Sequence, residues 1–539
     1  MLSRLLASST ALAIATGFSA GMAQAEYTLH VIHINDLHSR IESINRFDST
    51  CSGEDETEGK CFGGVARVYT KINELRDALT AAGENVIVLD AGDQFQGSLM
   101  YTTFKGAVEA EMMEAIGFDV MAVGNHEFDD GPEKLAEFVD AVSFPVISGN
   151  LDLSSSNLLN GKVGNHVVLE VGGERIGIIS ALAVDTVETS SPGPNVVFQD
   201  EIDSLAADVA ALTADGVTKI IALNHVGLNK DLDIAASVPG LDAVVGGHSH
   251  TYLSASDPDR AGAYPTYASQ ADGTLVPVVQ AYAYSKYVGH LELTFDDAGN
   301  LLYAGGDTIL LDASVEPNAE IAARVAELAG PIEEMKGQVV GASTDVIEGS
   351  RDVCRQVECA MGNLVADAIL DRVADQGVTI AFQNGGGLRA SIDAGEITMG
   401  EILSVLPFQN TLATFEIDGA GVVAALENGV SRLEDGAGRF SQVSGIKYTF
   451  DVNAEAGSRV SDVMVADGMG GFKPVDLEAT YLAVTNNFMR KGGDGYGMFA
   501  TAANAYDFGP GLEQVVVDYI AARGSDYAPY TDGRITRVE

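Results

Sequence analysis

The sequence predicts an α/β protein of two domains joined by a linker helix. From residue 26 to about residue 310, short β-rich apolar runs alternate with amphipathic stretches, which is the pattern of a layered α/β domain. Residues 314–339 then repeat apolar side chains at helical spacing. The 539 residues are enough for two to four domains, each with its own core. We therefore predict an α/β domain over 26–313, a linker helix over 314–339 and an α+β domain over 340–539.

The first domain is expected to alternate strands with helices. Two amphipathic stretches, Val65–Ala81 and Val108–Ile116, are typical of helices that bury one face. The clearest predicted strands are the apolar runs Leu29–Ile34, Val86–Leu89, Val120–Val123, Lys219–Leu223 and Leu241–Val245.

The linker and the second domain carry weaker patterns. Pro317 stands near the start of the linker helix, and Gly330-Pro331 is expected to kink it. The helical spacing is that of Ile321, Val325, Leu328, Ile332 and Met335. In the second domain, helices are predicted at Met361–Ala374, Thr398–Val405 and Leu512–Ala522. Strands are predicted there at Val378–Phe382, Thr411–Ile417, Ile446–Phe450 and Tyr481–Thr485.

The chain is strongly acidic. It has 77 Asp and Glu residues against 31 Lys and Arg residues, and its formal net charge is −46. Such a surface repels phosphate chains and no basic stripe offsets it, so binding of nucleic acid polymers is excluded. The hydrophobic share of 46% excludes intrinsic disorder, which requires low hydrophobicity as well as high charge. An anionic substrate would need a locally positive site.

Residues 1–25 have the three parts of a secretory signal. Arg4 supplies the positive charge, Leu5 to Phe18 the apolar segment, and Ala23-Gln24-Ala25 the cleavage site. The apolar segment is shorter than the ~20 residues that span a bilayer, and the polar C-terminus carries no lipid-anchor signal. We therefore expect a periplasmic or secreted chain that starts at Glu26 and has no membrane anchor.

The four cysteines allow three pairings in an oxidising compartment. The local pairing, Cys51 with Cys61 and Cys354 with Cys359, closes two short loops and is the one we predict. A zinc site is the alternative, but nine and four intervening residues do not match the usual C-x2-C spacing.

All five predicted strands of the first domain end in residues that bind metals. Ligands of an open α/β sheet bind beyond the carboxyl ends of its strands, so these segments are expected to meet at one edge. Five of the nine histidines lie in them, while His30, His33, His166 and His290 are expected to be strand, surface or core residues. The segments are Asn35-Asp36-Leu37-His38, Asp90-Ala91-Gly92-Asp93-Gln94, Gly124-Asn125-His126-Glu127-Phe128-Asp129, Asn224-His225 and Gly246-Gly247-His248-Ser249-His250.

This set of side chains suits two divalent transition metal ions. Imidazoles and carboxylates without a thiolate bind Zn, Mn, Fe or Co without strong preference. Two ions ~3.5–4 Å apart share a bridging ligand, for which Asp93 is placed. His126 is left over, and Asp129, three residues later, would orient its ring. The remaining candidates are Asp36, His38 and His250 for one ion, and Asn125, His225 and His248 for the other.

The ordered motifs resemble the calcineurin-like metallophosphoesterases and, more narrowly, the 5'-nucleotidases of the periplasm and the animal cell surface. The motifs are D-L-H, G-D-x-F-Q-G, G-N-H-E-F-D, N-H-x-G and G-H-S-H, and the resemblance covers essentially the whole mature chain. It implies an αββα sandwich, the same metal ligands, and a catalytic dyad of His126 and Asp129 with Asn125 as orienting ligand. Some periplasmic members have Gln in place of His250, so the metal preference is not transferred.

The second domain contains a local concentration of arginine. Arg351, Arg355 and Arg389 lie within 39 residues, and arginine recognises phosphate or carboxylate through paired hydrogen bonds. A glycine triplet that ends at Gly387 allows backbone N–H groups to approach an anion closely. From these residues alone, surface salt bridges and a flexible turn are an equal alternative.

The resemblance implies a nucleoside pocket in this domain. Phe408 and Phe488 would stack on the two faces of a base, although without the resemblance they would be core aromatics. Asp494 would accept hydrogen bonds from ribose hydroxyls, and Asn384 would contact the base or its neighbourhood. The arginines and Gly387 would contact the phosphate.

The sequence thus predicts a secreted hydrolase with two divalent metal ions, which removes the 5'-phosphate from nucleotides by means of an activated water molecule. Domain closure at the linker helix would bring base and metals together. Alternatives on the same scaffold are a nucleotide pyrophosphatase or UDP-sugar hydrolase, a 2',3'-cyclic phosphodiesterase and a sulfur-oxidation hydrolase. An alternative of another class is a non-catalytic metal or nucleotide carrier, which has no need of the dyad. The sequence leaves the native metal, the preferred base and the oligomeric state open.

Overall fold

The computed structural model describes residues 26–538 apart from residues 47, 49, 435, 469, 508 and 525, and apart from the side chains of residues 188, 189 and 333. The predicted secretory signal, residues 1–25, lies outside the described residues. Within these limits, no helix combines the length and the apolar character needed to cross a membrane.

Two six-stranded sheets form the centre of the first domain, as far as it is described. The order of the first sheet is Leu301–Leu310, Tyr287–Phe295, Tyr27–Ile34, Asn85–Asp90, Val120–Ala122 and Val146–Ile147. The order of the second sheet is Thr266–Ser269, Leu275–Val279, Ala243–Val245, Lys219–Leu223, Glu174–Ile179 and His166–Val171. A short pair, Leu151–Asp152 with Val197–Phe198, lies beside them.

The strand Tyr27–Ile34 shows why four layers form. Leu29 and Val31 pack into the core between the two sheets, whereas Ile32 and Ile34 pack into the core beneath the helices. Successive side chains of a strand point to opposite faces, so burial of both faces requires an almost continuous apolar run. The predicted αββα arrangement is confirmed.

The helices of the first domain cover the outer faces of the two sheets. Val65–Ala82, Ala107–Ile116 and Pro132–Ala141 contribute to the core outside the first sheet, and Glu201–Ala214 and Leu228–Ser237 to the core outside the second. Shorter helical segments are Gly53–Thr57, Leu99–Phe104, His126–Phe128 and Thr186–Thr189.

The predicted linker contains a single helix, Ala319–Lys336. The Asn318 side chain caps it by accepting hydrogen bonds from two backbone N–H groups of the first turn, at 3.0 and 3.1 Å. The helix runs through Pro331 without interruption, and Leu328 and Ile332 on its apolar face pack into the core of the first domain. The helix is therefore docked on the first domain, and its last residue, Lys336, also lies close to Gly400 of the second domain.

The second domain is built from three sheets in the described chain, which agrees with the predicted α+β class. The five-stranded sheet has the order Ser441–Ser444, Ile380–Asn384, Thr480–Asn486, Leu412–Asp418 and Ala503–Tyr506. The other two are Phe472–Pro474, Val460–Ala466, Ile446–Asp451 and Ile535–Val538, and Gly395–Thr398, Val339–Ser343 and Asp526–Tyr527. The helical segments are Arg351–Cys354, Ala360–Arg372, Ala374–Gln376, Gly385–Gly387, Met399–Val405, Gly419–Gly429, Asn487–Arg490, Gly493–Gly495, Gly497–Ala500 and Leu512–Ala522.

Both disulfides have the predicted local pairing. Cys51 is bonded to Cys61, with their Cα atoms 6.0 Å apart, and Cys354 is bonded to Cys359, with their Cα atoms 5.2 Å apart. The second disulfide closes the short loop that contains Arg355.

Two buried histidines, His30 and His33, and the half-buried His290 lie on two neighbouring strands of the first sheet. The Nε2 atom of His33 lies 2.8 Å from the Tyr264 hydroxyl, and its Nδ1 atom has no hydrogen-bond partner among the described residues. His290 Nε2 lies 3.0 Å from His30 Nδ1. Burial, and then repulsion from His290, lowers the pKa of His33 to about 3. Burial, and then repulsion from His30, lowers the pKa of His290 to about 4.

We expect His33 and His290 to destabilise the fold in acid. Their folded pKa values lie below the ordinary value of about 6.5, so the unfolded chain binds more protons and the free energy of unfolding falls as pH drops below that value. His290→Gln removes one of these titrating groups and should reduce the slope of unfolding free energy against pH, measured by urea titration of metal-free protein.

His166→Gln is the matched control, because His166 pairs with Asp208 outside this cluster. If the unfolding free energies of the wild type and His290→Gln had identical slopes between pH 6.5 and 4, the lowered pKa assigned to His290 would be wrong.

Candidate metal centre and adjoining cleft

The five segments that follow the predicted strands meet in one place. Three follow parallel strands of the first sheet, Tyr27–Ile34, Asn85–Asp90 and Val120–Ala122. Two follow parallel strands of the second sheet, Lys219–Leu223 and Ala243–Val245. The site is therefore formed by the carboxyl ends of two packed sheets, whereas the sequence suggested one sheet edge.

One group of possible ligands contains Asp36, His38 and His250, all buried. The Nε2 atoms of the two imidazoles approach each other to 2.9 Å. The Asp36 Oδ1 atom lies 3.3 Å from His250 Nε2 and 3.9 Å from His38 Nε2. These three ligand atoms thus face a common point.

A second group contains Asp93, His225 and His248. The Asp93 Oδ2 atom lies 3.0 Å from His225 Nε2 and 3.7 Å from His38 Nε2, a member of the first group. The amide oxygen of Asn125 lies 2.8 Å from His248 Nδ1. Asp93 therefore stands between the two groups, where a bridging ligand would be required.

The donor atoms fit divalent metal ions. The set consists of imidazole nitrogens, carboxylates and an amide oxygen, without thiolate, and such a set is typical of Zn, Mn, Fe or Co sites. Asp93 Oδ2 and His225 Nε2 are buried and lie 3.0 Å apart, but they do not meet with the geometry of a hydrogen bond. Buried polar atoms without partners are costly, and a cation at this point would satisfy both.

The backbone of these segments is unusual. Asp36, His38, Asp93, His248 and His250 all have positive φ, between 49° and 73°. Non-glycine residues rarely adopt this conformation, and such positions cluster at functional sites.

His126 forms a further group of possible ligands with His38 and Asp93, and it is also held by a carboxylate. Its Nδ1 atom lies 2.6 Å from Asp129 Oδ2, and the Ser190 hydroxyl donates to the other Asp129 oxygen at 2.8 Å. Burial alone would lower the pKa of His126. The carboxylates of Asp129 and Asp93 raise it by more than burial lowers it, so the pKa of His126 is raised to about 9. The predicted pair of His126 and Asp129 is thus present as a hydrogen-bonded unit, and Ser190 was not anticipated.

A cleft of about 600 Å³ lies between the two domains. It contains seven of the eight residues proposed for substrate binding: Arg355, Asn384, Gly387, Arg389, Phe408, Phe488 and Asp494. The first domain contributes Arg40, Arg46, Asp48, Tyr282 and Tyr284. Phe488 is 40% exposed, so its ring is accessible to a ligand in the cleft.

The predicted arginines form one positive region. Burial, and then repulsion from Arg351 and Arg389, lowers the pKa of Arg355. Burial, and then repulsion from Arg351, lowers the pKa of Arg389. Arg351 does not line the cleft, but its charge acts on Arg355 and Arg389, which do. Arg389 also stacks on Phe408, with the guanidinium carbon 5.5 Å from the ring centre.

Polar contacts fix the floor of the cleft. The Asn384 amide donates a hydrogen bond of 2.7 Å to Asp494, and the Asn486 amide donates one of 3.0 Å to Asn384. A Cβ atom at Gly493 would lie 2.5 Å from the Phe488 ring, so only glycine allows this ring its position.

The first-domain wall of the cleft was not predicted. The Tyr284 ring contacts the rings of His38 and His250, with centres 5.6 and 5.0 Å away, and Arg40 lies 5.0 Å from the Tyr284 ring centre. The Tyr282 hydroxyl donates to Asp48 at 2.6 Å. The tyrosines lie far from the D-L-H segment in sequence, and no spacing pattern marked them, although Arg40 is only two residues from His38.

Two family models match the chain. The model described as calcineurin-like phosphoesterase matches residues 29–252, and the model described as 5'-nucleotidase, C-terminal domain, matches residues 339–501. The first match contains the whole group of possible metal ligands, and the second contains the cleft residues of the second domain.

Relatives match over nearly the whole length. The chain is 39% identical to a 5'-nucleotidase of Diplobatis ommata, over 99% of this chain and 93% of the relative. It is 40% identical to a solved 5'-nucleotidase precursor of Thermus thermophilus, with a TM-score of 0.60 over 95% of this chain and 99% of that one. A solved NAD nucleotidase of Haemophilus influenzae is 26% identical, with a TM-score of 0.78 and the same coverage. The chain therefore belongs to the 5'-nucleotidase family of metal-dependent phosphoester hydrolases.

Proposed function

We propose that the protein is an exported 5'-nucleotidase that uses two divalent metal ions to release the 5'-phosphate of nucleoside monophosphates. The supporting observation is the interdomain cleft, which is lined by Phe408 and Phe488 of one domain and by Tyr284 of the other, and Tyr284 contacts His38. A nucleotide bound between the two phenylalanines would extend its phosphate towards the other domain.

The proposed ligands follow the observed geometry. Asp36, His38 and His250 would hold one ion, Asn125, His225 and His248 the other, and Asp93 would bridge them. Two bound ions would lower the pKa of a water molecule and polarise the phosphoryl oxygens. The identity of the ions, Zn, Mn, Fe or Co, follows from the donor set only as a class.

Side chains of the protein would assist the reaction and bind the nucleoside. His126, oriented by Asp129, would stabilise the charge that develops on the phosphoryl group or donate a proton to the leaving ribose oxygen. Phe408 and Phe488 would stack on the base, Asp494 would accept hydrogen bonds from the ribose, and Asn384 would contact the base or its neighbourhood.

The positive charge of the second domain would bind the phosphate during docking. Arg355 and Arg389 line the cleft, and Arg351 adds to the field there. The backbone at Gly387 would allow close approach of an anion.

Export is proposed from two features of the chain. The segment 1–25 has the pattern of a secretory signal, and both pairs of cysteines form disulfides, which persist in oxidising compartments. Whether the compartment is the periplasm or the medium depends on the host.

The substrate class is tested by phosphate release. We expect purified protein with Mn²⁺ or Zn²⁺ to release phosphate from AMP faster than from ADP, and chelation followed by return of the ion to remove and restore this activity. UDP-glucose and NAD belong in the panel, because one structural relative is named an NAD nucleotidase. Preferential cleavage of either would favour a pyrophosphatase, and binding of AMP without turnover would favour a carrier.

His126→Ala should lower kcat for AMP by about 10²- to 10⁴-fold, the contribution of a positioned acid or base. Metal content should stay near that of the wild type, because His126 is not among the proposed ligands. His166→Ala, which changes a histidine outside the centre, is the matched control. Turnover of AMP by His126→Ala at the wild-type rate would refute the role given to this residue.

Domain closure is proposed about the residues that follow the linker helix, because Ala319–Lys336 is docked on the first domain. Thr50 and Gln409 join the domains beside the cleft through two hydrogen bonds, of 3.2 and 3.0 Å. The double variant Thr50→Cys, Gln409→Cys, bridged by a short bismaleimide, would hold this arrangement.

We expect the bridged protein to lose most turnover of AMP, because substrate must enter and product must leave. All cysteines of the described chain are in disulfides, so the reagent should not modify them, and each single-cysteine variant is a control. Full turnover by the bridged protein would contradict the need for domain motion.

A further inference from the structure

Glu127 is a buried carboxylate that binds only backbone in the described structure. Its Oε2 atom accepts hydrogen bonds from the N–H groups of Gly124 and Asp93, at 2.7 and 3.0 Å. Its Oε1 atom accepts from the N–H groups of Gln94 and Phe95, at 2.8 and 3.2 Å. The residue is fully buried, so water does not compete for these bonds.

The shape of the Asp93 loop explains this contact. Gly92 and Asp93 have φ of 89° and 59°, and a left-handed turn of this kind points successive N–H groups towards one concave side. Such a row of N–H groups binds anions. Here the group on the concave side is the chain's own Glu127, which accepts hydrogen bonds from the successive N–H groups of Asp93, Gln94 and Phe95. These bonds support the positive φ of Asp93, a conformation that non-glycine residues rarely adopt.

The same side chain connects two loops from different strands. Glu127 belongs to the loop that carries Asn125 and His126, and it binds the loop that carries Asp93. The His126 N–H group also donates to Asp93 Oδ1, at 2.9 Å. The junction is tight: a Cβ atom at Gly124 would lie 2.3 Å from Asp93 Oδ1 and 2.7 Å from Glu127 Oε2.

We propose that Glu127 is the positioning residue that sets the separation between the two metal positions, by fixing the Asp93 loop against the Asn125 loop. Asp93 is the proposed ligand of both ions, whereas Asn125 is a proposed ligand of one ion only. A shift of one loop relative to the other would therefore move that ion relative to Asp93 and change how the two ions share it. This inference rests on the proposed two-ion site. Its consequence is that Glu127 governs metal affinity and turnover without touching substrate or ion.

Glu127→Gln tests this with little change in shape. The amide nitrogen must face at least one N–H donor, so the loop has to move. We expect the affinity for Mn²⁺, measured by titration of chelator-treated protein, to fall by about 10- to 100-fold, as for other groups that orient metal ligands. At saturating Mn²⁺, kcat should fall while KM for AMP stays within about twofold, because the nucleoside residues are untouched. The electron paramagnetic resonance signal of the coupled Mn²⁺ pair should change.

Glu201→Gln is the matched control. Glu201 is a buried glutamate of the same domain, 2% exposed, which accepts a hydrogen bond from the Val184 N–H group and pairs with Lys230. It should retain the Mn²⁺ affinity, kcat and resonance signal of the wild type, even if its melting temperature falls.

The outcomes separate this proposal from the proposed function. Wild-type Mn²⁺ affinity and an unchanged resonance signal in Glu127→Gln would overturn the positioning role alone. A wild-type chain that binds no pair of ions would overturn the two-ion function, and this role with it. If Glu127→Gln does not fold, Glu127→Asp keeps the charge on a shorter side chain and should show the same weakened binding. If neither folds while Glu201→Gln does, Glu127 serves stability only and the proposal is wrong.

Discussion

The buried carboxylates of Asp36 and Asp93 impose the main constraint on the first domain. Both are almost inaccessible to water, and each disfavours the charge of the other. Buried charges are stable only where opposite charge and hydrogen-bond donors surround them. The imidazoles supply part of that environment, and bound cations would supply the rest. The packing of two sheets brings the strand ends of both close enough to build it, so the αββα layers and the metal centre depend on one another.

The same electrostatic logic governs the cleft. The chain carries a net charge of −46, yet Arg40, Arg46, Arg355 and Arg389 converge on one cavity. Burial, and then repulsion between neighbouring arginines, lowers the pKa of Arg355 and Arg389, and an anion bound between them would relieve that repulsion. A small phosphorylated ligand would therefore be attracted to this cavity, while long polyanions would be repelled by the acidic surface.

The sequence is most informative where a residue of a metal-binding type directly follows a strand. Asp36, Asp93 and His225 could be selected because each ends an apolar run, and parallel strands deliver their carboxyl ends to a common edge. Contacts between distant segments could not be predicted in this way. The contact of Tyr284 with the metal centre and the hydrogen bonds of Glu127 to the Asp93 loop depend on how the sheets and turns pack. The spacing of apolar residues along the sequence does not indicate such contacts. The division of the ligands between two sheets escaped prediction for the same reason.

The central claim is that two ions lie on either side of Asp93. Anomalous X-ray diffraction from crystals grown with Mn²⁺ tests it most directly. We predict two peaks, one within bonding distance of Asp36, His38 and His250 and one within bonding distance of Asn125, His225 and His248, with Asp93 bound to both. A single peak, or peaks outside these ligands, would contradict the account.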